Sequence, residues 1–153
     1  MSEPNQVSVD IADKLVSLGA AAGRGAGAGW RVFRKEMPVV KKTTPQIPST
    51  VILLIDQGGL PPDRVMDNTK PKLHNPGLQI MVRAGTDDAA HQKMMQVYRL
   101  LDQIDRFTTS DTDWSIRYEG VFANSDPFPL PNEESDDSLY VCNFIVSREI
   151  TYT

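Results

Sequence analysis

The apolar positions change period several times along the chain, and each change marks an element. Ile11, Leu15 and Leu18 recur at i, i+4 and i+7, with Ala12 and Val16 widening the stripe, so a short helix is expected over Val9–Leu18. Ser8 stands where an N-cap belongs, Asp10 favours the positive end of the helix dipole, and Gly19 stands at the C′ position. A second seam is longer: Ala90, Met94, Val97, Leu101 and Ile104 step by four and three, beside Tyr98. It predicts a helix capped by Thr86 or Asp87 and running to about Arg106.

Strands are expected elsewhere. Trp30–Phe33 is short. Val51–Ile55 is continuously apolar, as in a strand buried on both faces, and Asp56-Gln57-Gly58-Gly59 is expected to end it. Leu78, Ile80 and Val82 alternate with Gln79, Met81 and Arg83 after a turn at Pro76-Gly77. Trp114, Ile116 and Tyr118 share one face of a strand over Trp114–Val121. Tyr140, Cys142, Phe144 and Val146 share one face of the longest strand, Leu139–Ile150. Two helices and about five strands, with strands joined to strands as often as to helices, give the expected class: α+β. The expectation is a mainly antiparallel sheet of about four to five strands with both helices packed on one face. With 153 residues and no internal repeat or linker, residues 1–153 read as one domain carrying a glycine-rich loop at 20–29 and an acidic loop at 124–138.

Composition narrows the chemistry. A net charge of −4 excludes a conventional basic nucleic-acid binder. The single cysteine, Cys142, excludes an intramolecular disulfide framework and fits a reducing compartment. No apolar run approaches the ~20 residues needed to span a bilayer, and MSEPNQVSVD has no basic or apolar leader region, so neither membrane nor secretion is expected. The glycines of Gly23–Gly29 lack a Gly-Lys-Ser/Thr ending and follow a helix rather than a strand, which argues against a phosphate loop. His74 and His91 have no second His or Cys at ligand spacing, so no metal is expected, and no cofactor. No nucleophile motif is present. The carboxylate pairs at Asp87-Asp88, Asp111/Asp113 and Asp136-Asp137 read as a dipole complement and two solvated turns. No catalytic residue is therefore assigned, and an enzyme, such as a metal-dependent nuclease using Asp56, is disfavoured.

What remains is segregated charge. Residues 24–42 carry Arg24, Arg31, Arg34, Lys35, Lys41 and Lys42 against Glu36, a net +5; residues 124–138 carry Asp126, Glu133, Glu134, Asp136 and Asp137 without a base, a net −5. Two solvated loops would explain this blandly. The sharper expectation is a pair of complementary subunit-interface patches in a head-to-tail oligomer.

Three stretches resemble one family: Asp10–Gly19; Pro76-Gly77-Leu78-Gln79-Ile80-Met81-Val82-Arg83-Ala84-Gly85 followed by the long Ala/Met/Leu helix; and the closing strand with Asn143-Phe144 near its centre. Val51–Gly59 also sits where that family's second strand would. The chain is similar to the tail terminators, small minor capsid or tail-completion proteins of long-tailed bacteriophages. The resemblance implies a non-catalytic, homohexameric ring in the virion, assembled in the host cytoplasm. Such a ring would end the tail tube and contact the tail tube protein on one side and head-completion (stopper) proteins on the other. DNA would pass its lumen without specific binding. The alternative reading is another head–tail connector or neck subunit, or a tail tube-like subunit.

Overall fold

A computed structural model describes residues 3–25, 27–35, 50–60, 72–131 and 137–152. Helix α1 (Val7–Ser17) leads into β1 (Gly23–Arg24), β2 (Arg31–Arg34), β3 (Val51–Leu60) and β4 (Lys72–Ala84). Helix α2 (Asp87–Asp102) follows, then β5 (Phe107–Ser110), β6 (Trp114–Ala123), β7 (Phe128–Leu130) and β8 (Ser138–Tyr152). The strands form one sheet in the order β1-β2-β3-β4-β8-β6-β5, with β7 paired to β8 beside β6.

This overturns the expected sheet. Among the described residues there are eight strands, not four or five, and the sheet is mixed and curled into a half-barrel rather than mainly antiparallel and small. β1–β2 and β2–β3 are parallel pairs; the other pairings are antiparallel. The additional strands, β1, β5 and β7, have two, four and three residues, too few for a hydrophobic period to register.

Two predicted strand ends also move. β3 continues through Asp56-Gln57-Gly58-Gly59, and β4 runs through Pro76-Gly77 instead of starting after them. The two features compensate one another. Gln57 pairs with Gly77 and Leu60 with Asn75, so β3 carries one extra residue opposite Pro76. Proline has no N–H for the ladder, and a bulge is where a strand tolerates one. A Cβ at Gly77 would lie 2.8 Å from the Gly58 carbonyl oxygen, so the close approach there requires glycine.

Both helices pack on one core. Ile11 and Leu15 of α1, and Met94, Val97 and Leu101 of α2, are buried in the same cluster as Ile52, Leu54, Ile80, Cys142 and Phe144. On the opposite face, register aligns Phe33, Leu53, Met81, Val141 and Phe128 in a transverse row across five strands. Leu53 and Val141 are buried there as well, which explains why the Val51–Ile55 run is apolar at every position.

Candidate assembly interface

The basic segment begins at a parallel return so short that ordinary residues could not make it. β1 pairs with β2 in the register Gly23↔Arg31 and Arg24↔Val32, although parallel strands normally need a crossover of a dozen or more residues. Positive φ at Gly25 (73°) and Gly29 (76°) turns the chain that tightly. The Arg31 side chain lies back across the return. Its Nε donates to the Gly25 carbonyl at 2.9 Å and its Nη2 to the Arg24 carbonyl at 2.9 Å. A Cβ at Gly23 or Gly27 would come within 2.8 Å of that guanidinium, so these glycines make room for Arg31. From the other side Lys93 of α2 donates to the Ala20 carbonyl at 3.0 Å and sits 5.0 Å from the Trp30 ring centroid. Burial lowers the Lys93 pKa from its ordinary value.

The arginines of this segment already have work within the chain. Arg24 pairs with Asp13 of α1 at 3.0 Å and keeps a 40% exposed side chain. Arg34 donates to the Ser8 hydroxyl at 2.7 Å and to Gln6 Oε1 at 2.6 Å, and lies 4.0 Å from Asp56. Ser8 in turn donates its backbone N–H and its hydroxyl to the Asp56 carboxylate. Ser8 is therefore not the N-cap: α1 starts at Val7, and the hydroxyl is held by a residue 48 positions away. Lys35 is exposed at the end of β2 with φ 73°.

A second polar group seats α1 from the far side of the sheet. Asp10 is only 4% exposed. Its carboxylate accepts from the Tyr118 hydroxyl, from Asn5 Nδ2 at 2.9 Å and from Thr109 Oγ1 at 3.3 Å. Arg148 Nη1 donates to the Asn5 carbonyl at 2.7 Å and to the Tyr118 hydroxyl at 3.4 Å. Burial, and then the Asp10 carboxylate, push the Tyr118 phenol well above its ordinary value. The sequence places Asp10 at the helix dipole and gives no sign of this role, since Asp10 lies about 100° round the helix from Ile11 and off the apolar stripe.

On the acidic side, Asp126 is exposed in the connection between β6 and β7. Asp137 lies 3.8 Å from Arg83, whose burial lowers its pKa while the Asp137 carboxylate raises it. Arg83 is 6% exposed, an unexpected burial for the polar face of an alternating strand. Cys142 donates its thiol to the Ser125 carbonyl at 3.2 Å, and burial pushes its pKa up to about 11. Lys41, Lys42, Glu133, Glu134 and Asp136 lie outside the described residues.

The sheet keeps the two segments apart. The basic one lies on β1 and β2 at one edge; Asp126 and Asp137 flank β7 and the start of β8. From β1 to β7 there are five inter-strand steps, roughly 24 Å measured along the curled sheet at ~4.8 Å each. Among the described residues no three His, Cys, Asp or Glu side chains are grouped to hold a metal ion, and no helix is long and apolar enough to cross a membrane.

Among the described residues, Arg24, Arg31, Arg34 and Lys35 thus lie at the β1–β2 edge of the sheet, and Asp126 and Asp137 beside β7. The family described as "Bacteriophage tail terminator protein" matches residues 23–150, and the chain belongs to that family. Its role is structural, in the tail of the phage particle. No curated protein matches the chain.

Proposed function

We propose that this chain, as a single domain, closes head to tail into a homohexameric ring that ends the tail tube and joins it to the head-completion proteins. One observation carries the reading: among the described residues, Arg24, Arg31, Arg34 and Lys35 lie at the β1–β2 edge of the sheet and Asp126 and Asp137 beside β7, five inter-strand steps away. A contact between different patches of identical subunits is heterologous, and such contacts close into rings when the rotation permits. The basic margin of one subunit would meet the acidic β6–β8 margin of the next, fixing register by complementary potential. The tube protein and the stopper protein would occupy the two rims, with DNA passing through without specific contacts. A net charge of −4 suits that passage, because each neutralised phosphate would add to binding. The subunit works without cofactor and without catalysis in this reading. The family match favours a terminator over a neck or tube-like subunit.

The purified chain should show by mass photometry a species of about six times the 17.0 kDa subunit. It should also co-assemble with tail tube protein as a single ring. Arg24→Glu combined with Lys35→Glu should weaken the ring while leaving the melting temperature close to wild type. A chain that stays monomeric at every concentration, and ignores tube protein, overturns the proposal.

A further inference from the structure

We infer that exposed aromatic side chains on the β6–β7 side of the sheet form a plug that seats in a notch beside β1 of a second copy of this chain. The inference rests on the head-to-tail reading above and names the apolar part of that contact. Phe122 is 59% exposed and Phe128 37% exposed. Register pairs them with Ile145 and Val141 of β8, on the face away from the helices. Phe122 lies flat over its own strand: a Cβ at Gly120 would come 2.9 Å from the ring. Aromatic side chains, Phe among them, are enriched in the buried cores of protein interfaces.

The notch is created by the shortness of β1. Pairing between β1 and β2 stops at Arg24↔Val32, while β2 continues through Phe33 and Arg34. An open cavity of about 470 Å³ lies there, lined by Arg24, Gly25, Val32, Phe33 and Arg34. Its apolar wall is the half-buried Phe33; Arg24, paired with Asp13 yet 40% exposed, and Arg34, held by Ser8 and Gln6, border it. The plug combines Phe128 with Asp126 two residues earlier. Ring against Phe33 and carboxylate against the exposed Arg24 is the match that a second copy provides. Each copy carries both plug and notch on different parts of the sheet, so engaging one leaves the other open and the contact repeats.

The test uses full-length chains with one half of the contact broken. Phe122→Ser/Phe128→Ser breaks the plug at exposed positions, and Phe33→Ser breaks the notch; Arg24→Glu is a second notch variant should Phe33→Ser lower the melting temperature. Each variant alone should associate roughly 30-fold or more weakly than wild type, the usual effect of losing an anchor residue. A one-to-one mixture of plug and notch variants should recover dimers and stop there, since only one intact plug–notch pair remains per couple. Plug variants that assemble like wild type, or mixtures that give no dimer, overturn this inference and leave the ring standing. A monomeric wild-type chain overturns the ring itself.

Discussion

The two helices share one core, but only α1 buries polar side chains in it. The buried positions of α2 are Ala90, Met94, Val97 and Leu101, all apolar; its polar ties, Lys93 to the Ala20 carbonyl and Asp87 to the Tyr140 hydroxyl, come from side chains at its rim. α1 buries Ser8 and Asp10 among Val7, Ile11, Ala12 and Leu15. Apolar burial is non-directional, so a seam of that kind holds a helix down without fixing where it sits along the sheet. Hydrogen bonds to named partners do fix it. Ser8 is tied to Asp56 and Arg34 on β3 and β2, Asp10 to Thr109 and Tyr118 on β5 and β6. α1 therefore spans the helix-covered face as a polar strut between strands far apart in the sheet order, next to the edge strand β1 that carries Arg24. A subunit that must present two margins in fixed relation gains from such a strut.

Breaking the strut should have the largest effect. Asp10→Ala removes the acceptor of three donors and leaves the buried Tyr118 hydroxyl without an acceptor, with only the 3.4 Å contact from Arg148 remaining. The expected loss is about 4 kcal/mol by urea unfolding, with hydrogen bonds to a charged group at ~1.5–3 kcal/mol each and incomplete relaxation. Asp10→Asn should lose less, because one oxygen still accepts. The same site predicts alkaline behaviour. The phenol's pKa is raised in the folded state, so its stabilisation is complete below the unfolded value of ~10 and is lost as pH climbs toward the folded one. Stability should fall with pH above that point, and Tyr118→Phe should flatten this slope. An unchanged alkaline slope in that variant would show that other groups set it.

At α2 the corresponding change is Met94→Ala, a fully buried side chain in the middle of the seam. About 3 kcal/mol should be lost, within the ~2–5 kcal/mol usual for such truncations. The contrast with α1 is sharpest in the conservative exchange. Met94→Leu should cost under ~1.5 kcal/mol, since volume is what the seam requires. No apolar exchange at Asp10 should be comparably mild. If Asp10→Leu proved as stable as wild type, the strut would be dispensable and the two helices would be held alike.

The same contrast explains what could be read from the chain. Met94, Val97 and Leu101, and the alternation at Leu78–Arg83, announced their elements because burial imposes a period that any neighbouring surface would satisfy. The strut gave no such signal: Ser8 looks like a helix cap until Asp56 is brought beside it by the β3 register. β1 is likewise legible only in three dimensions, since two residues become a strand through the Arg31 side chain and the glycines that admit it. The charge of the proposed interface was visible as composition at 24–42 and 124–138. Its separation across the sheet was not, because that follows from the order of strands. Phe122 and Phe128 escaped notice for a related reason. An exposed aromatic residue in a strand looks the same in sequence as a core one.

The smallest expected effect separates the helix starts. Thr86 has extended backbone and its side chain accepts from the Ala89 N–H at 3.2 Å, so it caps α2. Gln6 occupies the same position before α1 but makes no capping hydrogen bond; its side chain accepts from Arg34 instead. Thr86→Ala should therefore cost about 1 kcal/mol, the usual value for a lost cap. Gln6→Ala should cost about 0.5 kcal/mol, because one exposed hydrogen bond goes and no helix donor loses a partner. Both are measurable as shifts in urea midpoint at constant m. Equal losses would mean that α1 depends on its first turn as α2 does, and that the polar strut adds position without replacing the cap.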